Sequence, residues 1–230
     1  MTSRIDRAAR GILFDMDGTL VDSTAIVEAA WGSFGADHGI DPATILAFSH
    51  GRQTMDTVTH FLPDLSEDDR LAVAHALVAD EVRRTSDVGG PDGAGEIVEI
   101  EGAAAFVDAL ADLGVPVALV TSAPRDLAVS RMQAAGIRVP DVVVTAEDVP
   151  RGKPAPDCYL QGAALLGLDP ADCIAFEDAP AGVASAIAAG TQVVVVGTLT
   201  SAETAGLERL PGYDGVSATI EPDGRVRIRG

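Results

Sequence analysis

The sequence is unusually poor in lysine. Only one of its 16 lysine and arginine residues is a lysine, Lys153. Cysteine is also scarce, with Cys158 and Cys173 alone, and aromatic residues make up 4% of the chain. The two cysteines lack the spacing of a metal site, which favours reduced, buried thiols over a structural disulfide. With so few aromatic residues, the core must be built mostly from Ala, Val, Leu and Ile.

No apolar run approaches the ~20 residues that a membrane-spanning helix needs, and the N-terminal segment MTSRIDRAARGILF is too polar for a signal peptide. The 230 residues carry a formal net charge of -19. Such a surface repels nucleic acid and anionic membranes, so we expect neither as a partner. We expect a cytoplasmic protein, and an anionic small substrate would need a local positive site within it.

Strand and helix patterns alternate along most of the chain. Short apolar runs rich in β-branched residues predict strands at 11–15, 115–122, 142–148, 173–178 and 192–197. Helical patterns occupy 102–114, 124–136, 155–167 and 179–190. Apolar runs without alternation are typical of strands buried on both faces. The order therefore predicts an α/β fold with a doubly wound parallel sheet.

The segment 23–86 carries helical patterns without a strand signal, which predicts a helical domain inserted into a core formed by 1–22 and 96–230. The Gly- and Asp-rich segment 87–95 is predicted to be a hinge or linker. Trp31 and Phe34 are expected in the interior of the inserted helices or, alternatively, on the face of these helices that covers the ligand site. The alternating tail around Asp223-Gly224 predicts a hairpin.

Four of the predicted strands are followed by side chains suited to chemistry. The segments are FDMDGTLVDS after the first, TSA after the second, GKPAPD after the third and FEDAPAG after the fourth. Each alone is typical of turn residues. Ligands bind beyond the carboxyl ends of parallel strands, so the four together predict one site that combines carboxylates, a hydroxyl and an ammonium group.

This ordered set of motifs resembles the haloacid dehalogenase superfamily of phosphotransferases. The resemblance covers nearly the whole chain, including a helical cap inserted after the first motif, and FDMDGTLVDS is its most specific part. It implies a Rossmann-like core whose cap, over 23–86, closes on the substrate and excludes water.

The resemblance also implies phosphoryl transfer through an aspartyl-phosphate. Asp15 would be the nucleophile, and Asp17 would protonate the leaving oxygen and then activate water. Mg²⁺ would be held by oxygen ligands from Asp15, the backbone carbonyl of Asp17 and Asp178, with Glu177 nearby.

The remaining core residues of this expected site surround the phosphoryl group. Thr121 and backbone amides around Ser122 and Ala123 would bind its oxygens, while Gly18 would allow close backbone approach. Lys153 would contact both a phosphoryl oxygen and the nucleophilic carboxylate. A compact ammonium suits such a crowded site better than the wide guanidinium of arginine.

The cap narrows the choice of reaction. The chain has no second lysine for the Schiff base of phosphonate-cleaving relatives, and Val27 falls near the position of a histidine in mutase relatives. The segment FSHGRQT (48–54) resembles that of phosphatases acting on 2-deoxyglucose 6-phosphate, glycerol phosphate and related compounds. His50, Arg52 and Thr54 would bind substrate hydroxyls or phosphate. Alternatively, His50 ends a helix and Arg52 pairs with a surface acid.

The sequence thus predicts a Mg²⁺-dependent phosphatase, a monomer, that hydrolyses small hexose or polyol phosphates. One alternative is a phosphosugar mutase of the β-phosphoglucomutase type, which would retain the aspartyl-phosphate and need a bisphosphate activator. A second is a non-catalytic binding or regulatory protein, because a fold alone does not imply activity.

Overall fold

The computed structural model describes residues 5–86, 97–198, 200–202 and 204–230. The strands in these ranges are β1 (Asp6–Ala9), β2 (Gly11–Phe14), β3 (Val21–Asp22), β4 (Val98–Glu99), β5 (Val117–Val120), β6 (Val142–Val144), β7 (Cys173–Glu177), β8 (Gln192–Val196), β9 (Glu208–Leu210), β10 (Ser217–Ile220) and β11 (Val226–Arg229). The α-helices are α1 (Thr24–His38), α2 (Pro42–Ser49), α3 (Thr54–Phe61), α4 (Glu67–Ser86), α5 (Ala103–Asp112), α6 (Arg125–Ala134), α7 (Asp157–Leu165) and α8 (Pro180–Ala189). The predicted linker 87–95 lies outside the described residues.

The central sheet has six parallel strands in the order β6-β5-β2-β7-β8-β9. Five of them fall within the predicted strand segments, and α5 to α8 fall within the predicted helical segments. Every residue of β2 and β7 is buried, as expected for strands covered on both faces. The α/β prediction is therefore confirmed, while β9 at the edge of the sheet was not predicted.

Alternate residues of the sheet enter two separate apolar layers. Phe14 lies on one face with most of the core aromatic rings, and its centroid is 5.0 Å from that of Phe176. Leu13 lies on the other face, with Tyr159 of α7 and Val183 of α8. The rest of both layers is mainly Ala, Val, Leu and Ile, in keeping with the composition.

Helices α1 to α4 follow one another between β3 and β4 and share an apolar cluster of their own. As predicted, Trp31 and Phe34 lie inside it, with their rings edge to face and 5.4 Å apart. We call these four helices the cap. The strands β3 and β4 on either side of the cap pair antiparallel, with Val21 opposite Glu99, which the sequence did not predict.

The predicted hairpin is confirmed by the antiparallel strands β10 and β11. Strand β1 joins it by pairing with β11, although the polar N-terminal segment gave no strand signal.

In the part of the chain that the structure describes, none of the helices combines the length and apolarity needed to traverse a bilayer.

Candidate active site

The predicted site residues converge at the carboxyl ends of the central strands. Asp15 directly follows β2, Thr121 directly follows β5, and Asp178 directly follows β7. Glu177 is the last residue of β7, and Lys153 lies between β6 and α7. Parallel pairing of β2 with both β5 and β7 brings these ends together.

Lys153 is buried with all of its donors directed to acceptors. Its Nζ donates to Oδ1 of Asp15 at 2.5 Å, to Oε1 of Glu177 at 2.7 Å and to the Val120 carbonyl at 3.2 Å. The side chain is 1% exposed. An ammonium group has three donors, so this environment uses each of them and holds the lysine against Asp15.

Glu177 fixes the position of that lysine. Its Oε1 also accepts a hydrogen bond from the Tyr159 hydroxyl at 2.8 Å. Its Oε2 accepts from the backbone amides of Asp178 at 3.0 Å and Ala179 at 3.1 Å. Both oxygens are therefore engaged within the protein, and the carboxylate is fully buried.

The site concentrates negative charge. Oxygen atoms of Asp15, Glu177 and Asp178 lie within 4.8 Å of one another. Burial raises the pKa of Asp15 to about 7, and the charge of Glu177 adds to this shift while Lys153 opposes it. Burial and the charges of Asp15 and Glu177 likewise raise the pKa of Asp178 well above its usual range. Burial alone would lower the pKa of Lys153, but its two carboxylate partners raise it.

This donor set fits a hard divalent cation. Three clustered carboxylates face a single ammonium group, and magnesium prefers oxygen ligands. Gly18 lies against Asp178 with no space for a side chain between them. The hydroxyl of Thr19 donates to Oδ1 of Asp178 at 3.2 Å and holds that carboxylate in place.

Asp17 is held by two donors that were not predicted to contact it. Its Oδ1 accepts from the Ser23 hydroxyl at 2.6 Å and from the Arg131 guanidinium at 2.9 Å. Arg131 also donates to Oε2 of Glu81 at 2.5 Å. The Asp17 side chain remains 30% exposed and borders the cavity described next.

A cavity of about 140 Å³ separates the end of the sheet from the cap. Its lining brings together most of the predicted site residues: Asp15, Asp17, Gly18, Thr121, Ser122, Ala123 and Asp178 from the core, with His50, Arg52 and Thr54 from the cap. Val27 and Trp31 of α1 also line the cap side. Of the predicted residues, Lys153 and Glu177 are absent from this lining and lie buried next to Asp15.

The loop after β5 connects the core to the cap. The Thr121 hydroxyl accepts from the Ala123 amide at 3.0 Å, so that predicted phosphate-binding amide is engaged within the loop. The bond leaves the proton of the Thr121 hydroxyl available to donate. The Ser122 hydroxyl donates to the Gly51 carbonyl of the cap at 2.9 Å. A second contact runs from Nε2 of Gln53 to the carbonyl of Ala146 at 3.2 Å. These contacts place the cap segment 50–54 directly over the core site.

His50 and Arg52 border the cavity and also have neighbours within the cap. His50 follows the last residue of α2 and also lines the cavity. The guanidinium carbon of Arg52 lies 4.4 Å from the ring centre of Phe48, which is a cation–π contact. Arg52 also acts electrostatically on Asp56, where it opposes the increase in pKa caused by burial.

Sequence reasoning missed five residues that shape the site: Thr19, Ser23, Glu81, Arg131 and Tyr159. A helical pattern could have identified two of them. Arg131 shares the buried face of α6 with Leu127, Ala128 and Met132, and Glu81 shares that of α4 with Ala74, Leu77 and Thr85. Because a buried charge requires a partner, opposite charges on two apolar faces indicate a pair.

Most of the chain is similar to known proteins. The family model for haloacid dehalogenase-like hydrolase matches residues 9–190. Hexitol phosphatase A of Escherichia coli (strain K12) is 42% identical over 224 residues, covering 96% of this chain and 99% of that protein. Glycerol-1-phosphate phosphohydrolase 2 of Saccharomyces cerevisiae is 32% identical over 206 residues, covering 86% of this chain and 78% of that protein.

The fold is also shared with solved structures. The crystal structure of β-phosphoglucomutase from Clostridium difficile matches with a TM-score of 0.77, covering 91% of this chain and 93% of that one. At 19% sequence identity this similarity concerns the fold alone.

Proposed function

Because this chain belongs to the haloacid dehalogenase-like hydrolase family, we propose that it is a phosphoric monoester hydrolase acting on small hexose or polyol phosphates. The observation that carries the proposal is the placement of Asp15 and Asp17 on one cavity under the cap. Asp15 is held by the buried ammonium of Lys153, and Asp17 is partly exposed to the cavity. The pair supplies a nucleophile and an acid–base group to the same cavity.

The reaction proceeds in two transfers. In the first, a carboxylate oxygen of Asp15 forms a bond to phosphorus while the ester bond breaks, and Asp17 gives its proton to the departing alcohol oxygen. In the second, Asp17 takes a proton from water as that water attacks the aspartyl-phosphate. The products are inorganic phosphate and the original Asp15 carboxylate.

The other core residues orient the phosphoryl group and reduce charge repulsion. Lys153 offsets the negative charge of Asp15. Its contact with a phosphoryl oxygen stays a prediction, because Nζ donates to three acceptors within the protein. Thr121 and the backbone around Ser122 and Ala123 border the cavity where phosphoryl oxygens would lie. Gly18 keeps the backbone close to the reacting groups.

We propose Mg²⁺ as the cofactor, held by Asp15, Asp178 and the backbone carbonyl of Asp17, with Glu177 close by. When bound, the ion would neutralise charge on the transferred phosphoryl group. The oxygen-only donor set and the surplus of carboxylates over ammonium groups support this choice. The four hydrogen bonds that Glu177 accepts give it the further task of holding Lys153.

The cap supports a phosphatase of sugar or polyol phosphates over a mutase. Val27 lines the cavity near the position where mutase relatives carry a histidine, and its apolar side chain cannot exchange a proton. His50, Arg52 and Thr54 present polar groups to the same cavity, suited to substrate hydroxyls. The names of the Escherichia coli and yeast relatives, both polyol phosphate hydrolases, favour the same substrate class.

The test is phosphate release from hexose 6-phosphates, 2-deoxyglucose 6-phosphate, hexitol phosphates, glycerol phosphate and β-glucose 1-phosphate, with and without Mg²⁺. Wild type is compared with Asp15→Asn and with Asp108→Asn, a matched change at an exposed helix position. We expect Mg²⁺-dependent release that only Asp15→Asn abolishes. No release by the folded wild-type protein would overturn the proposal and direct attention to mutase assays with a bisphosphate activator.

We also propose that the enzyme is a cytoplasmic monomer. Cys158 and Cys173 are both buried free thiols, which favours a reducing compartment. Light scattering coupled to gel filtration measures the mass directly, and a dimer mass would contradict the monomer.

A further inference from the structure

Arg131 is a buried charge shared between the core and the cap. Its side chain is 2% exposed and is the largest of the fully buried side chains among the described residues. One terminal nitrogen donates to Asp17 of the core at 2.9 Å, and the other donates to Glu81 of the cap at 2.5 Å. The guanidinium therefore binds one carboxylate from each part of the protein.

The two charges are placed by helices that pack on each other. Arg131 lies on the buried face of α6, and Glu81 lies on the buried face of α4. Burial of an arginine is costly unless carboxylates compensate its charge. Removal of either carboxylate would leave a charge in the interior with less compensation, so this geometry depends on both partners.

The two carboxylate oxygens of Asp17 differ in their hydrogen bonds. Oδ1 accepts both from Arg131 and from the Ser23 hydroxyl, which lies 2.6 Å away. These two donors fix the plane of the carboxyl group. Within the described residues, Oδ2 accepts no hydrogen bond, which leaves that oxygen for exchange of a proton with the leaving group or water.

We propose that Arg131 is a positioning residue for Asp17, and that Glu81 of the cap holds Arg131 in the orientation this requires. The acid–base group is then correctly aimed when the cap lies on the core. This inference rests on the proposed phosphatase function and adds the residues that align its proton transfer.

The inference predicts a dependence on the leaving group. An alkyl alcohol needs a proton as its ester bond breaks, whereas p-nitrophenolate is a weak base that departs without one. The ratio kcat/KM reports the steps up to cleavage of the ester bond. A misaligned Asp17 should therefore lower kcat/KM for a polyol phosphate and spare that for p-nitrophenyl phosphate.

The experiment measures kcat/KM for both substrates in Arg131→Lys, Glu81→Gln and the control Arg125→Lys. Arg125 lies on the same helix in an exposed ion pair with Asp148. For Arg131→Lys we expect a loss of about 30-fold to 100-fold with the best polyol phosphate, within the range of general acid catalysis, and less than about threefold with the aryl phosphate. Glu81→Gln should show the same pattern with a smaller loss.

A double variant tests whether Glu81 acts through Arg131 or independently of it. If Glu81 acts through Arg131, adding Glu81→Gln to Arg131→Lys produces little further loss. Thermal unfolding identifies variants that do not fold, and Glu81→Gln, which preserves the side-chain shape, decides the matter if Arg131→Lys is unfolded.

Two outcomes overturn the inference while leaving the proposed function intact. One is an equal loss of kcat/KM for both substrates in folded variants. The other is an unchanged kcat/KM for both substrates. Failure of the wild-type protein to hydrolyse either substrate would instead overturn the proposed function and the inference with it.

Discussion

The backbone of Gly18 passes so close to Asp178 that a Cβ atom built on it would lie 2.1 Å from Oδ2 of that carboxylate. Gly18 also has a φ of +82°, in the left-handed region that favours glycine. The same residue thus permits the turn after Asp17 and preserves the position of a proposed metal ligand.

Gly18→Ala should displace Asp178 and lower phosphate release by about 100-fold, in line with the loss of one electrostatic contact at a reacting centre. The matched control is Gly39→Ala, because Gly39 has a φ of +67° and open space around its Cβ position. The control should lose about 1 kcal/mol of unfolding free energy through backbone strain and retain its activity. Equal activity losses in the two variants would refute a specific effect on Asp178.

Lys153→Arg should lower kcat by about 100-fold to 1,000-fold even though it preserves the charge. The guanidinium is too wide for the space among Asp15, Glu177 and the Val120 carbonyl, all of which Nζ contacts. Steady-state kinetics and thermal unfolding measure the effect. The control is the reverse exchange, Arg151→Lys. Arg151 has an exposed side chain and lies two positions before Lys153 in the sequence. Retention of kcat within threefold by Lys153→Arg would contradict the role assigned to the ammonium.

Mg²⁺ should stabilise the protein more at pH 8 than at pH 5.5. Burial and neighbouring charge raise the pKa of Asp15 from 3.8 to about 7 and raise that of Asp178 as well. In the metal-free protein, protonation of Asp15 contributes stability that is fully present below pH 3.8 and is lost as the pH rises through about 7. Because Mg²⁺ must displace these protons, its binding strengthens as the pH rises.

The measurement is the difference in Tm between samples with excess Mg²⁺ and with a chelator at the two pH values. Asp178→Asn should abolish most of the difference, since it removes one of the three clustered carboxylates. A gain in Tm that is the same at both pH values would contradict competition between protons and the ion.

Arg52→Ala should raise KM for a polyol phosphate by about tenfold and leave inhibition by inorganic phosphate unchanged, as expected for one lost charge-assisted hydrogen bond to a hydroxyl. Arg52 lines the cavity from the cap and lies over the ring of Phe48. Arg83→Ala provides a control at an exposed arginine of the cap. Weaker inhibition by phosphate in Arg52→Ala would assign the side chain to the phosphoryl group instead.

The central sheet could be predicted because its strands are short and buried on both faces. Such strands produce continuous apolar runs, as in β7, where all five residues are buried. Strands β3 and β4 could not be predicted in this way. Each has two residues, and they exist because Val21 and Glu99 pair across the inserted cap. Pairing between distant segments leaves little trace in local composition.

The site also contains residues that a local motif predicts and residues that depend on contacts between distant segments. The structure brings Asp15, Lys153 and Asp178 together, and each was predicted from a motif near the end of a strand. Tyr159 and Arg131 lie within helices, outside the short motifs that follow the strands. Their contacts with Glu177 and Asp17 depend on how helices pack against the sheet and the cap.

The buried position of Lys153 leaves the protein surface without a lysine amine. Lys153 is the only lysine in the sequence, its side chain is 1% exposed, and its nitrogen is ion-paired with Asp15 and Glu177. Acylating reagents that label lysines on most proteins would find no accessible lysine in the folded chain. Acylation of Lys153 requires the surrounding structure to open, so its rate records how often this interior is exposed.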